Sequence, residues 1–279
     1  MYFGDERDLT GTIDTGDMSS TYGFRVLAYN CYFQVTTTCP EANVILQRYA
    51  FPWLPRVDNA SGRPDVSIRI DRVADQFRLL AGDVEVASAD QAIRLVPDLI
   101  RVLDEAVVQR LATLRAVHAG VVVLDGRALL LPGSSHAGKT SLVAELLQRG
   151  ATYFSDEYAL IDAEGRVHPY PRPLLMRNGS PEQVPVLATE CNAAAGDSPA
   201  PVCWILALEY QPKGGWDIAS VPQGEALLNL LRNTPHVLAE TPDLVGIFQR
   251  AVAGAACYAG RRSDAADAVD QIFQLIGHS

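Results

Sequence analysis

The chain has 279 residues, enough for one large domain or two small ones. Apolar residues make up 48% of it and charged residues 20%, a balance that supports a packed core. A net charge of −10 argues against nucleic acid or an anionic membrane as partner, since either selects for a basic face.

The first segment, MYFGDERDLTGTIDTGD, is polar and acidic and lacks the basic start and apolar centre of a signal peptide. No stretch approaches the roughly 18 apolar residues of a membrane span. The cysteines (Cys31, Cys39, Cys191, Cys203 and Cys257) are scattered, with no CxxC spacing, and read as reduced thiols. These features predict a cytoplasmic protein.

Residues 1–22 read as a flexible tail. FRVLAYNCYFQVTT (24–37) and DVSIRIDRV (65–73) are β-rich, and a breaker-rich loop with Pro52, Pro55, Asn59, Gly62 and Pro64 separates them. FRLLAGDVEVAS (77–88) resembles a hairpin around Gly82-Asp83. A long helix is expected over 89–114, where Ile93, Val96, Ile100, Leu103, Val107 and Leu111 form one apolar stripe. Pro97 marks a break or a new first turn in it. Residues 23–115 thus form an N-terminal β-rich subdomain ending in a helix.

The texture changes at about residue 116. HAGVVVLDGRALLLPG reads as strand, Asp125-Gly126 turn, strand. A helix over 138–149, closed by Gly150, and a strand over 151–162 follow. VCWILALEY (202–210) and WDIASV (216–221) suggest a hairpin. Helices at about 223–233 and 242–253, a short ACYAG strand and a helix near 264–276 complete the chain. The alternation predicts an α/β core over 116–279.

That core carries Gly133-Ser134-Ser135-His136-Ala137-Gly138-Lys139-Thr140, which fits the P-loop pattern G-x-x-x-x-G-K-[ST] between a strand and a helix. Glycines let backbone N–H groups close around phosphate oxygens, and the following helix, with Ser141 in its first turn, adds its positive end. Lys139 would supply a point charge to the β- and γ-phosphates, and Thr140 a hydroxyl to magnesium. Average residue usage gives such a match by chance in about one chain in a hundred. The chain holds two lysines, Lys139 and Lys213, against 21 arginines, so a lysine in the loop suggests a need for a compact ammonium.

Asp156-Glu157 sits on the next strand. A helix followed by a strand at this spacing predicts a right-handed crossover to a neighbouring parallel strand, bringing the carboxylates beside the loop. One acid would hold magnesium and the other would accept the proton of an attacking hydroxyl. Which does which is open. Arg166, Arg172 and Arg177 follow in a proline-stiffened stretch, where one could neutralise the γ-phosphate or all could be solvated. His118 opens the hairpin, and a lone His in an apolar run is more often a satisfied core residue than a functional one. Arg261-Arg262 reads as surface.

The string HAGVVVLDGRALLLPGSSHAGKTSLVAELLQRGATYFSDEYALID (118–162) resembles the nucleotide core of HPr kinase/phosphorylase and, more closely, the HPr-kinase-related kinases that include lasso-peptide kinases. The resemblance implies a mixed-sheet P-loop fold of the HPr kinase/phosphoenolpyruvate carboxykinase type. It implies that Gly133 to Thr140 hold the triphosphate of ATP, with Thr140, Asp156 and Glu157 about the metal. It also implies that the two acids share general-base duty and that His118 lies near the reacting phosphate. The family's second signature, E-R-G-x-G, has no counterpart here, and the acidic pair is Asp-Glu in place of Asp-Asp.

The resulting expectation is an ATP- and magnesium-dependent kinase acting on a serine hydroxyl of a peptide or small-protein acceptor. Homo-oligomer formation stays open, and no nucleic acid or membrane partner is expected. A small-molecule kinase and a non-catalytic ATP-binding regulatory protein are the alternatives.

Overall fold

The computed structural model describes residues 21–50, 53–57, 62–134, 137–177, 179–212, 214–235 and 242–277. Its elements belong to two compact units, one ending at Arg110 and the other beginning at Leu111. Both mix helices and sheet, so the chain is α/β in class.

In the first unit, β1 (Tyr22–Ala28) and β2 (Cys31–Thr37) are antiparallel. Tyr29 and Asn30 join them at φ 49° and 68°, the positive values that a two-residue hairpin of matching twist requires. β1 therefore begins within the segment expected to be tail; residues 1–20 of that segment lie outside the described residues. Helix α1 (Pro40–Tyr49) was not expected from the sequence. It connects β2 to the parallel strand β3 (Val66–Val73), because two parallel neighbours need a crossover between them. β4 (Gln76–Ala81) and β5 (Val84–Ala89) follow as the expected hairpin, giving the sheet order β1-β2-β3-β4-β5. The expected long helix is shorter than its apolar stripe: α2 spans Val96–Gln109, with Pro97 in its first turn. It buries Val96, Ile100, Leu103 and Val107 as the stripe predicts.

The second unit is built on a mixed sheet that the Asp125-Gly126 hairpin organises. β6 (Arg115–Leu124) and β7 (Arg127–Pro132) pair across that turn, with φ 49° and 75° at its two residues. α3 (Lys139–Gln148) follows the glycine loop, and the chain then runs through β8 (Thr152–Ser155) and β9 (Tyr158–Ile161). Both strands lie antiparallel to β6, so β8 is parallel to β7 but not beside it. The expectation of neighbouring parallel strands is thus corrected: the hairpin strand β6 already occupies that edge of β7.

On the other side of β7 lies β13 (Ala200–Tyr210), parallel to it, and then β15 (Ala256–Arg262), parallel to β13. β14 (Asp217–Ser220) pairs with β15, not with β13. The expected hairpin between 202–210 and 216–221 is therefore overturned: β15 inserts between the two segments and takes the ladder hydrogen bonds of both. β10 (Arg166–His168) pairs with β9 and with the start of β13, and β11 (Leu174–Met176) and β12 (Val184–Val186) form a small ribbon.

The helices cover both faces. α4 (Gln223–Arg232) and α5 (Leu244–Ala253) pack with Val117, Val121, Leu130 and Ile205 on one face. α3 and α6 (Ala265–Gly277) pack with Val122, Leu129, Leu131 and Trp204 on the other. The alternation of side chains along each strand feeds both layers. No helix among the described residues is long and apolar enough to cross a membrane.

Candidate functional site

The glycine loop leaves the carboxyl end of β7 and enters α3, where open α/β sheets receive ligands. Gly133 sits under the loop: a Cβ there would come 3.3 Å from the Ala137 Cβ, tighter than side chains normally tolerate. Gly138 precedes α3 at φ 75°, a left-handed value that costs other residues about 1 kcal/mol or more. Lys139 folds back over the loop, and its ammonium donates to the Gly133 carbonyl at 2.8 Å and the Ser134 carbonyl at 3.0 Å. Burial lowers the pKa of this ammonium, and the Glu157 and Asp156 carboxylates oppose that shift. Ser134 and Ser141 are exposed, whereas Ala137, Gly138 and Thr140 are half-buried. Ser135, His136 and Lys213 lie outside the described residues.

The acidic pair interrupts what would otherwise be one strand through β8 and β9. In a flat strand, neighbouring side chains point to opposite faces. Here Ser155, fully buried, accepts the backbone N–H groups of Glu157 at 3.2 Å and Tyr158 at 3.1 Å on its hydroxyl. That local turn brings both acids to one cation: Arg172 Nη2 is 3.3 Å from Asp156 Oδ1 and 3.4 Å from Glu157 Oε2. Arg172 is itself only 2% exposed. The Tyr153 hydroxyl lies 2.8 Å from the Arg172 carbonyl and 3.2 Å from Asp156 Oδ1, and packs beneath the pair.

The two acids have different surroundings. Asp156 is 1% exposed, and burial raises its pKa even against the attraction of Arg172. Its Oδ2 has no hydrogen-bond partner among the described residues, and the nearby Thr140 side chain favours the charged form of the carboxyl. Glu157 is partly exposed. Burial pushes its pKa up, but the hydrogen bond from His118 and the charges of Arg172 and Lys139 outweigh that and hold it below the usual range. His118 Nδ1 is 3.3 Å from Glu157 Oε1, and its ring stacks at 4.6 Å on Tyr158. Its backbone is also fixed: the N–H donates to the Asn233 carbonyl at 2.8 Å, and the carbonyl accepts from Gly133 at 3.2 Å.

The fold therefore gathers His118, Lys139, Thr140, Asp156 and Glu157 around one point. Of the three arginines singled out in sequence, Arg172 joins them. Arg166 pairs instead with Asp162 at 2.9 Å, and Arg177 is exposed. Arg262 is the residue that sequence reasoning assigned wrongly. It is 2% exposed, and its Nη2 donates to the Gly138 carbonyl at 2.8 Å from behind the loop. Its guanidinium also lies over the Tyr210 ring at 5.4 Å. Nothing local in the Arg-Arg pair distinguishes it from a surface arginine.

Among the described residues no three His, Cys, Asp or Glu side chains converge as a metal cage. A hydroxyl and a buried carboxylate with one unused oxygen, beside a glycine loop, nevertheless suit magnesium, which takes few protein ligands and completes its shell with other oxygen donors and water. No family model matches the chain, and no curated protein matches it.

Proposed function

We propose that this protein is an ATP- and magnesium-dependent kinase that phosphorylates a serine hydroxyl of a peptide or small protein, on a P-loop core of the HPr kinase type. The observation that carries the reading is the convergence on one loop of Lys139, Thr140 and two carboxylates with different electrostatic surroundings. Environments that push paired acids apart assign them separate roles.

In this reading Lys139 gives up its contacts with the Gly133 and Ser134 carbonyls and meets the triphosphate. Thr140 and Asp156 would hold magnesium, which supplies positive charge to the β- and γ-phosphate oxygens. A dication offsets the cost of burying the Asp156 charge. Glu157, kept ionised by His118 and Arg172, takes the proton of the acceptor hydroxyl. The hydroxyl oxygen attacks the γ-phosphorus, the bond to the β–γ bridging oxygen breaks, and ADP leaves. His118 positions the Glu157 carboxylate, and Arg172 keeps both acids oriented. Positioning and charge neutralisation account for most of the rate in such transfers.

The test is incubation of the purified chain with γ-labelled ATP, magnesium and serine-containing peptides encoded beside its gene, followed by mass analysis. Label on a peptide serine with wild type and none with Lys139→Ala is the expected result. Equal labelling by the two proteins would overturn it.

A further inference from the structure

A cavity of about 550 Å³ opens beside the glycine loop, within the range of small-molecule sites. The mechanism above leaves it unused. Gly133, Ser134 and Ala137 of the loop form one wall. The carboxyl ends of β13 and β15, at Ala207, Leu208, Ala259 and Gly260, form an apolar floor of mostly small residues. One face of α4, with Glu225, Asn229 and Asn233 at successive helical spacings of four, closes the other side.

We propose that this cavity holds the sugar and base of the nucleotide, an inference that rests on the nucleotide-binding reading above. Position argues first. In the sheet order β9-β6-β7-β13-β15, the acidic pair lies on one side of β7 and the cavity floor, at β13 and β15, on the other, while the Asn233 end of α4 spans the two and accepts from the His118 N–H. The γ-phosphate must face the acids and the acceptor, so the nucleoside, joined to the opposite end of the triphosphate, is directed towards β13 and β15.

Chemistry argues second. The charged lining consists of Glu209, Glu225, Arg232 and Arg261, two of each sign, which suits a polar occupant without net charge. Asn233 Nδ2 donates to Asn229 Oδ1 and to the Asn229 carbonyl, both at 2.9 Å. That leaves Asn229 Nδ2 as a donor and Asn233 Oδ1 as an acceptor, the pairing that the edge of a nucleobase presents. The carboxylates can accept from ribose hydroxyls, as an acid does in dinucleotide sites.

The experiment is calorimetric titration of the full chain, in magnesium, with ATP and separately with inorganic tripolyphosphate, which has the phosphates but no nucleoside. Two variants are used: Asn229→Phe, which fills the cavity, and Asn229→Leu, which is close in size and removes the amide together with the hydrogen bond it accepts from Asn233. The proposal expects both to weaken ATP by about tenfold or more while tripolyphosphate stays within about twofold of wild type. Unchanged ATP affinity in variants that still bind tripolyphosphate would overturn it, and would leave the cavity to the phosphate acceptor. Failure of the wild type to bind either ligand would instead remove the nucleotide reading, and this proposal with it.

Discussion

The Arg262 guanidinium occupies the space that a side chain on Gly138 would need: a Cβ built there collides with Arg262 Nη2. The same nitrogen donates to the Gly138 carbonyl, so the loop's last glycine is both excluded from bearing a side chain and tied down by the residue that excludes it. Gly138→Ala combines that collision with a left-handed backbone at φ 75°. It is expected to abolish nucleotide binding while the sheet stays folded, which binding titration and circular dichroism together would show. Arg262→Leu frees the loop but leaves the Gly138 carbonyl without this donor. A loss of about 1–3 kcal/mol in stability is expected from thermal unfolding, with ATP bound more weakly.

Arg172 is the only buried cation in contact with the acidic pair among the described residues. Arg172→Met leaves two carboxylates facing each other without it, and breaking such a pair costs about 3–5 kcal/mol. Removing the cation raises the pKa of Asp156 further, so the folded variant holds its proton to higher pH than the unfolded chain does. Stability tied to that proton is present at low pH and lost as pH rises through the folded value. The deficit of Arg172→Met against wild type should therefore widen from acid to neutral pH in thermal melts, and magnesium should narrow it.

Asp156 and Glu157 are expected to respond oppositely to neutral substitution. Burial already disfavours the Asp156 charge, so Asp156→Asn should melt no lower than wild type at neutral pH, with its relative stability growing as pH rises. Magnesium-dependent phosphoryl transfer should be lost in the same protein. Glu157 has a depressed folded pKa, so its contacts stabilise above the ordinary value of 4.5 and are lost as pH falls through the folded value. Glu157→Gln should melt below wild type at neutral pH and converge with it in acid. ATP binding should survive in this variant while transfer falls by about two to four orders of magnitude, the usual range for a lost acid–base group.

Gly120 fixes how closely α3 approaches the hairpin. A Cβ there would come 2.7 Å from Val143 Cγ2, so Gly120→Ala must push the helix that begins with Lys139. Overpacking of this kind costs about 1–3 kcal/mol. Adding Val143→Ala should recover part of the melting temperature, and double-mutant coupling would measure how much.

The parts legible in the sequence are those set by local chemistry. The Asp125-Gly126 turn, the loop between strand and helix, the apolar stripe of α2 and the first-turn Pro97 all appear where residue patterns put them. What the sequence hid depends on partners distant in the chain. β15 separates two segments that look like a hairpin, because strand order is decided by packing and not by proximity. Helix α1 has a mixed pattern, with Val44 exposed and Leu46 buried, and gives no clear stripe. Arg172 differs from Arg166 and Arg177 only in what surrounds it after folding. The kink at Ser155, which turns two adjacent acids towards one guanidinium, has no signature beyond an ordinary serine.

The most direct measurement is titration of magnesium-ATP into wild type and Lys139→Ala. A single saturable site on wild type, weakened by about tenfold or more when the ammonium is removed, is the predicted outcome. Equal affinity in the two proteins, with Lys139 still bonded to the Gly133 and Ser134 carbonyls when nucleotide is present, would contradict the account.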